Sequence, residues 1–240
     1  MSATSTNQTA PGLLCVLAEL GPAIPEDEFN DWADNEHVPL RMAIPAFRSC
    51  TRWLAADGRT PTHLSLYSVS ALSALYEPPY TTLVRSERER ALAPLIALFD
   101  RRVYQKIDVP VPPSPPTPGE RTARFVRVVG MDVPAEHEAD LERWYDEEHI
   151  AMLAKVPQWV RSTRYVLHEG RVSGTDESMK LGRAMPKFLA VHEYTDARAV
   201  ETEEFKAAVG TAWTKRVLGY AEGYDGRSFE LLRRWEKDSE

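Results

Sequence analysis

The chain has 240 residues, 43% hydrophobic and 27% charged, with a net charge of -7 and a pI near 5.5. That length buries a real core, as one large domain or two small ones. The acidic balance, without a Lys/Arg cluster, argues against nucleic acid or an anionic membrane as partner. No apolar run approaches the ~20 residues of a spanning helix, so a soluble, cytoplasmic protein is expected.

Residues 1–11 are polar, lack the basic start and apolar core of a leader, and read as a disordered tail. An N-terminal module is expected over 12–108, a Pro-rich linker over 109–120 and a C-terminal module over 121–240. The linker lies within "DVPVPPSPPTPGE", which has no hydrophobic pattern and suits an extended spacer. The two cysteines, Cys15 and Cys50, sit in apolar strand-like runs and read as small buried hydrophobes.

The two modules read alike. The first opens with the strand "LLCVLAEL" and the second with "ARFVRVVGMDV". Each continues with an acidic helix start, "PEDEF" or "PAEHEADL", where proline and carboxylates favour a helix N-terminus. A helix follows and stops before proline, at "AIPAF" or "KVPQW". Next come the strands "FRSCTRWLA" and "HLSLYSV", or "WVRSTRYVL" and "KFLAVHEY". Second helices are expected over "TTLVRSERERALAPLIAL" and "AVETEEFKAAVGTAWTKRVL", and closing strands over "RRVYQKI" and "RSFELLRRW". The order is β-α-β-β-α-β twice, the split βαβ or ferredoxin-like unit. The expected fold class is therefore α+β: two antiparallel sheets, each with helices on one face, packing their open faces into an intrachain α/β barrel.

The first helices share a phrase, "NDWADNEHVPLRMAIPAF" from Asn30 and "ERWYDEEHIAMLAKVPQW" from Glu142. At about 100° per residue, Leu141, Trp144, Tyr145, Met152, Leu153 and Val156 share one apolar arc, and Glu148 and His149 fall inside it. In the first copy Phe29, Trp32, Ala33, Leu40 and Ile44 make the arc, and Glu36 and His37 fall within. A buried carboxylate and imidazole each need a partner. Asp34 and Asp146, one turn before the histidines, are placed to hold each imidazole in one tautomer, which suits general acid/base chemistry. A histidine that merely fixes helix to sheet would leave the same pattern.

Trp144, Tyr145, Met152 and Trp159 make a candidate aromatic wall for a flat apolar ligand, with Trp32 and Tyr67 at related places in the first module. His192 shares a strand face with Ala190 and Tyr194, directed at the same space as His149. Arg52 and Arg164 precede aromatics in "TRW" and "TRY"; alternation favours the aromatic inward and the arginine outward, whereas an inward Arg164 would clamp an anion. The segment "HEGRVSGTDESMKLGRAMP" is long enough to be a lid. No metal-ligand spacing, glycine-rich phosphate loop or nucleophile elbow is present, and no cofactor is expected.

At "FNDWADNEHVPL" and "LERWYDEEHIAM" the chain resembles the EthD-like branch of the dimeric α/β barrel superfamily, in tandem form. The resemblance implies cofactor-free decarboxylases, dehydratases and cyclases of polyketide pathways, with monooxygenases and haem proteins in the wider superfamily. It implies His149 and His37 as the helix histidine and Trp144 and Tyr145 as the aromatic pair; the first module departs with Ala33 and with Arg41 in place of Leu153. The reading is a cofactor-independent lyase or cyclase acting on an apolar, oxygenated, polyketide-like small molecule, with a homodimer possible. His149 held by Asp146 would move the proton, and Glu148 and His192 would assist. The rivals are a monooxygenase or haem protein, a pericyclic catalyst and a non-catalytic binding protein.

Overall fold

The computed structural model describes residues 8–108 and 122–237. The expected linker, 109–120, and residues 1–7 of the expected tail lie outside the described residues. Along the chain run β1 (Gly12–Glu19), α1 (Glu26–Trp32), α2 (Val38–Met42), β2 (Phe47–Ala55), β3 (His63–Val69), α3 (Glu87–Leu92) and β4 (Leu98–Ile107). There follow β5 (Phe125–Asp132), α4 (Glu138–Trp144), α5 (Ile150–Leu153), β6 (Trp159–Ser173), α6 (Glu177–Lys180), β7 (Phe188–Tyr194), α7 (Glu203–Val209), α8 (Ala212–Tyr220) and β8 (Gly223–Glu236). No helix is long and apolar enough to cross a membrane among the described residues.

The described residues form two compact units that do not follow the repeat boundary. Unit 1 takes 8–106, 167–185 and 232–237; unit 2 takes 107–108, 122–166 and 186–231. In unit 1, β1 lies between β3 and β4, and β2 pairs with β3, all antiparallel. In unit 2, β5 lies between β7 and β8, and β6 pairs with β7, again antiparallel. The correspondence extends to details. Glu19 at the end of β1 accepts from the Thr62 N–H at 2.7 Å, and Asp132 at the end of β5 accepts from the Lys187 N–H at 2.7 Å. The registers of β2 with β3 and of β6 with β7 each shift by a residue, at Phe47/Ser49 and Trp159/Arg161.

Several expectations change. Residues 8–10 are tied down, since the Gln8 and Ala10 carbonyls accept from Ser73 and Leu72. The expected helix over "TTLVRSERERALAPLIAL" shrinks to α3, because Ser86 caps it by accepting from the Glu89 N–H and Pro94 follows its end. Its counterpart in the second repeat breaks at Gly210 into α7 and α8, each N-capped by a threonine, Thr202 and Thr211. The expected lid is instead a continuation of β6 followed by α6. It is bound within unit 1: the Thr175 and Asp176 N–H groups donate to Ile96 and Ala97, Arg101 to Glu169 at 2.8 Å, and Arg183 to Asp100.

The first helix of each repeat contains a π-helical turn, Ala33–His37 between α1 and α2 and Tyr145–His149 between α4 and α5. Backbone N–H groups there reach back five residues, from Val38 to the Ala33 carbonyl and from Ile150 to the Tyr145 carbonyl. Pro39 stands just beyond the first turn but Ala151 takes its place in the second, so proline is not what widens them. Such turns recur at functional sites.

Candidate active site

The widened turn decides what each histidine meets. With hydrogen bonds spanning five residues, positions i and i+5 come onto one face. The His149 ring stacks on Trp144, centroids 4.2 Å apart and planes 25° from parallel, and the His37 ring lies 4.4 Å from Trp32. The i to i+3 pairing expected of a regular helix is lost. Asp146 accepts instead from Arg164 Nη1 at 2.9 Å, and Asp34 accepts from Arg52. Neither aspartate holds its histidine: His149 Nδ1 is buried with no hydrogen-bond partner, and His37 Nδ1 meets Glu89 at 3.7 Å.

The arginines face the helices, not solvent. Arg52 and Arg164 are each 3% exposed, and the Arg164 guanidinium lies 4.5 Å over the Tyr145 ring. Their aromatic neighbours, Trp53 and Tyr165, are buried as well, so both sheet faces are covered. Arg164 therefore supports Tyr145 from behind and does not line the hollow in front of it.

That hollow lies within unit 2, with a volume of about 320 Å³. Trp144, Tyr145, His149, His192, Leu153, Phe205 and Tyr194 are among its walls, with Arg127, Val129 and Met131 from one face of β5. Val209, Leu218 and Tyr224, 40%, 44% and 51% exposed, stand where it opens. Of the expected site residues, His149, His192, Trp144 and Tyr145 come together here. Met152 and Trp159 pack with Phe125 and Val156 instead, and Glu148 turns away to accept from the Thr211 hydroxyl at 2.6 Å.

Both histidines are held neutral. Burial lowers the His149 pKa to about 4, against the Ala208 carbonyl, which favours protonation. Burial first, and then His149, Arg127 and Arg164, push His192 well below its ordinary value. Their ring centroids are 6.0 Å apart at 80°. His192 Nδ1 lies 2.8 Å from Ser162 Oγ, which also accepts from the Trp159 indole N–H at 3.1 Å. Since indole only donates, the serine keeps its proton for Nδ1, and in the tautomer where it is given there the ring carries its own hydrogen on Nε2. The Trp144 indole is fixed in turn: it donates to Thr214 Oγ1 at 3.2 Å, which donates to the Ala208 carbonyl at 3.1 Å.

The equivalent space in unit 1 is nearly filled, at about 40 Å³. His37, Trp32 and Tyr67 line it, but so do Phe29, Ile96 and Phe99. Burial also lowers His37 to about 4, assisted by Arg41 and opposed by Glu89. The His63 ring lies 5.0 Å from that of Phe29, tilted by 58°.

Among the described residues no group of three or more His, Cys, Asp or Glu could hold a metal ion. Cys15 and Cys50 are buried and unpaired, and burial pushes both thiols up to about 12.

Arg127, Tyr194, Tyr224 and Phe205 were not anticipated. The signal for Arg127 was in β5, where Arg127, Val129 and Met131 alternate onto the face that builds the cavity.

No family model matches the sequence, and no curated protein matches it. Solved structures do. An anthrone oxidase-like protein matches with TM-score 0.61 at 12% identity, over 96% of this chain and 94% of its own. A monooxygenase-like protein from Fusobacterium nucleatum gives 0.63 at 12%, over 95% of each. A chlorite dismutase-like protein gives 0.58 at 16%, over 94% and 96%. At these identities the likeness is one of fold alone.

Proposed function

We propose that the chain is a cofactor-independent lyase or cyclase, a tandem EthD-like module working by proton transfer on an apolar, oxygenated, polyketide-like small molecule. The observation that carries this is the pair of neutral histidines facing one apolar hollow of about 320 Å³. Small-molecule sites are of this size and kind, apolar with a few convergent polar groups.

The roles divide between the two rings. His149, unprotonated at neutral pH, takes a proton from an acidic C–H of the substrate; the electron pair moves onto the adjoining carbonyl oxygen. His192, with its hydrogen on Nε2, donates to that developing oxyanion, which a dry cavity strengthens. The enolate then loses a leaving group, closes a ring or is reprotonated, and His149 returns its proton. Trp144 and Tyr145, in contact with each other at 4.5 Å, form one aromatic wall for the substrate, and Arg164 holds Tyr145 from behind.

Deuterium exchange from D₂O into 2-tetralone, a bicyclic ketone with acidic C–H bonds, tests this by NMR. The wild type should accelerate exchange, and His149→Ala should remove the acceleration while the fold, read by circular dichroism, persists. Exchange that is equal with and without the folded protein overturns the reading. Oxygen consumption during the same incubation would mean that the carbanion is oxygenated, the chemistry of a cofactor-free oxygenase.

A further inference from the structure

We propose that the mouth of the unit 2 cavity is an anion-recognition subsite, where Arg127 takes the anionic oxygen of a substrate whose ring system lies against Trp144 and Tyr145. This rests on the reading of the cavity as a substrate site and adds the charge of what enters it.

Arg127 differs from four other arginines of these sheets. Arg52, Arg102, Arg161 and Arg164 each bind a carboxylate, from Asp34, Asp100, Glu193 and Asp146. Arg127 has only hydroxyls, Ser228 Oγ at 3.2 Å and Tyr224 Oη at 3.3 Å, and no carboxylate among the described residues. Two neutral contacts leave most of its five N–H donors unspent. The cavity walls include this one cation and no acid. A guanidinium beside an apolar space, uncompensated by the protein, favours an anion with a hydrophobic body.

The strands also leave room for it. Arg127 lies opposite Ser228 and Val129 opposite Gly226 across β5 and β8. A side chain on Gly226 would begin 2.7 Å from Arg127 Nη2 and 2.8 Å from Tyr224 Oη, so glycine is what lets the pair rest there. At the same registers of unit 1, Leu14 faces Val103, Val16 faces Arg101 and Ala18 faces Phe99. The cradle is present where the hollow is open and absent where it is filled.

Fluorescence titration with 2-naphthoate, the neutral 2-naphthalenemethanol and the cationic 2-naphthylmethylamine at pH 7.5 tests the subsite without requiring turnover. The wild type should prefer naphthoate to the alcohol by about tenfold or more, the range of a charge-assisted hydrogen bond, and bind the amine worst. Arg127→Gln should abolish that preference while alcohol affinity stays within about twofold. Arg127→Lys should recover part of it, and Gly226→Ala should weaken naphthoate with the charge still present. Equal affinities for naphthoate and alcohol, a preference that survives Arg127→Gln, or no naphthoate binding at millimolar concentration overturns the proposal. His149→Ala should keep the preference, so a failed catalytic reading and a failed subsite give different results.

Discussion

Both repeats place a histidine on a π-helical turn against a tryptophan five residues earlier, tilted by 55° in the first and stacked in the second, yet the second opens onto a hollow of about 320 Å³ and the first onto about 40 Å³. The difference is made by the neighbours. Phe99 and Ile96 line the same small space as His37, Phe99 standing where the second repeat's register puts Tyr224, and Glu89 stands 3.7 Å from His37 where His149 has the Ala208 carbonyl. Ala33 in place of Tyr145 removes one aromatic wall, and Tyr67 in place of His192 removes the second imidazole. A helix motif can therefore recur while the space around it differs: the motif sets which tryptophan the ring meets, and the sheet decides whether anything can reach it.

That contrast can be broken most sharply by paired substitutions. His149→Ala should lower proton-exchange turnover by about 10²- to 10⁴-fold, the usual worth of a positioned acid/base, while His37→Ala should leave turnover within about twofold. Comparable losses from both would mean that the first repeat is active too.

The second contrast is in stability, read from urea unfolding midpoints. Ile96→Ala opens a void in a filled interior and should cost about 2–5 kcal/mol. Leu218→Ala, 44% exposed at the cavity mouth, should stay within about 0.5 kcal/mol.

Acid should reveal what the repeats share. His37 and His149, buried and lowered to about 4, stay neutral in the folded chain, whereas unfolding restores the ordinary value of 6.5. Between those values the unfolded chain binds more protons, so stability is full above pH 6.5 and falls as pH drops toward 4. Each histidine should contribute a slope of about 1.4 kcal/mol per pH unit. Replacing either with phenylalanine should flatten the dependence of unfolding free energy on pH by one such increment.

The smallest expected effect sharpens the site itself. Thr214→Val removes the acceptor of the Trp144 indole and should cost about 1 kcal/mol in stability. It should also raise the Kd of a flat aromatic ligand more than that of a flexible one.

The order of strands and helices is legible in the sequence because alternation and helical periodicity each follow from burial of one face. Trp144, Tyr145, His149 and His192 were legible for the same reason. Asp146 was misjudged because its partner was read from a regular helix, and a π turn changes which residues share a face without changing composition. Arg164 was misjudged because alternation ranks the aromatic as the inward residue, whereas here both sheet faces are covered and a cation–aspartate pair is buried on one of them. Residues 168–186 looked like a lid because their polar composition hides a strand whose partners lie far back in the chain, at Ile96 to Arg102. Long-range pairing of this kind leaves no local periodicity.

One consequence concerns separability. Because unit 1 draws on 167–185 and 232–237, its buried Asp100 is neutralised in part by Arg183, and the Lys237 N–H donates to the Arg48 carbonyl. Severing the polypeptide near Ser114 would leave that aspartate with Arg102 alone and the first fragment short of its own edges. Unit 1 is assembled from three stretches of the chain, so no single cut between the repeats frees it whole.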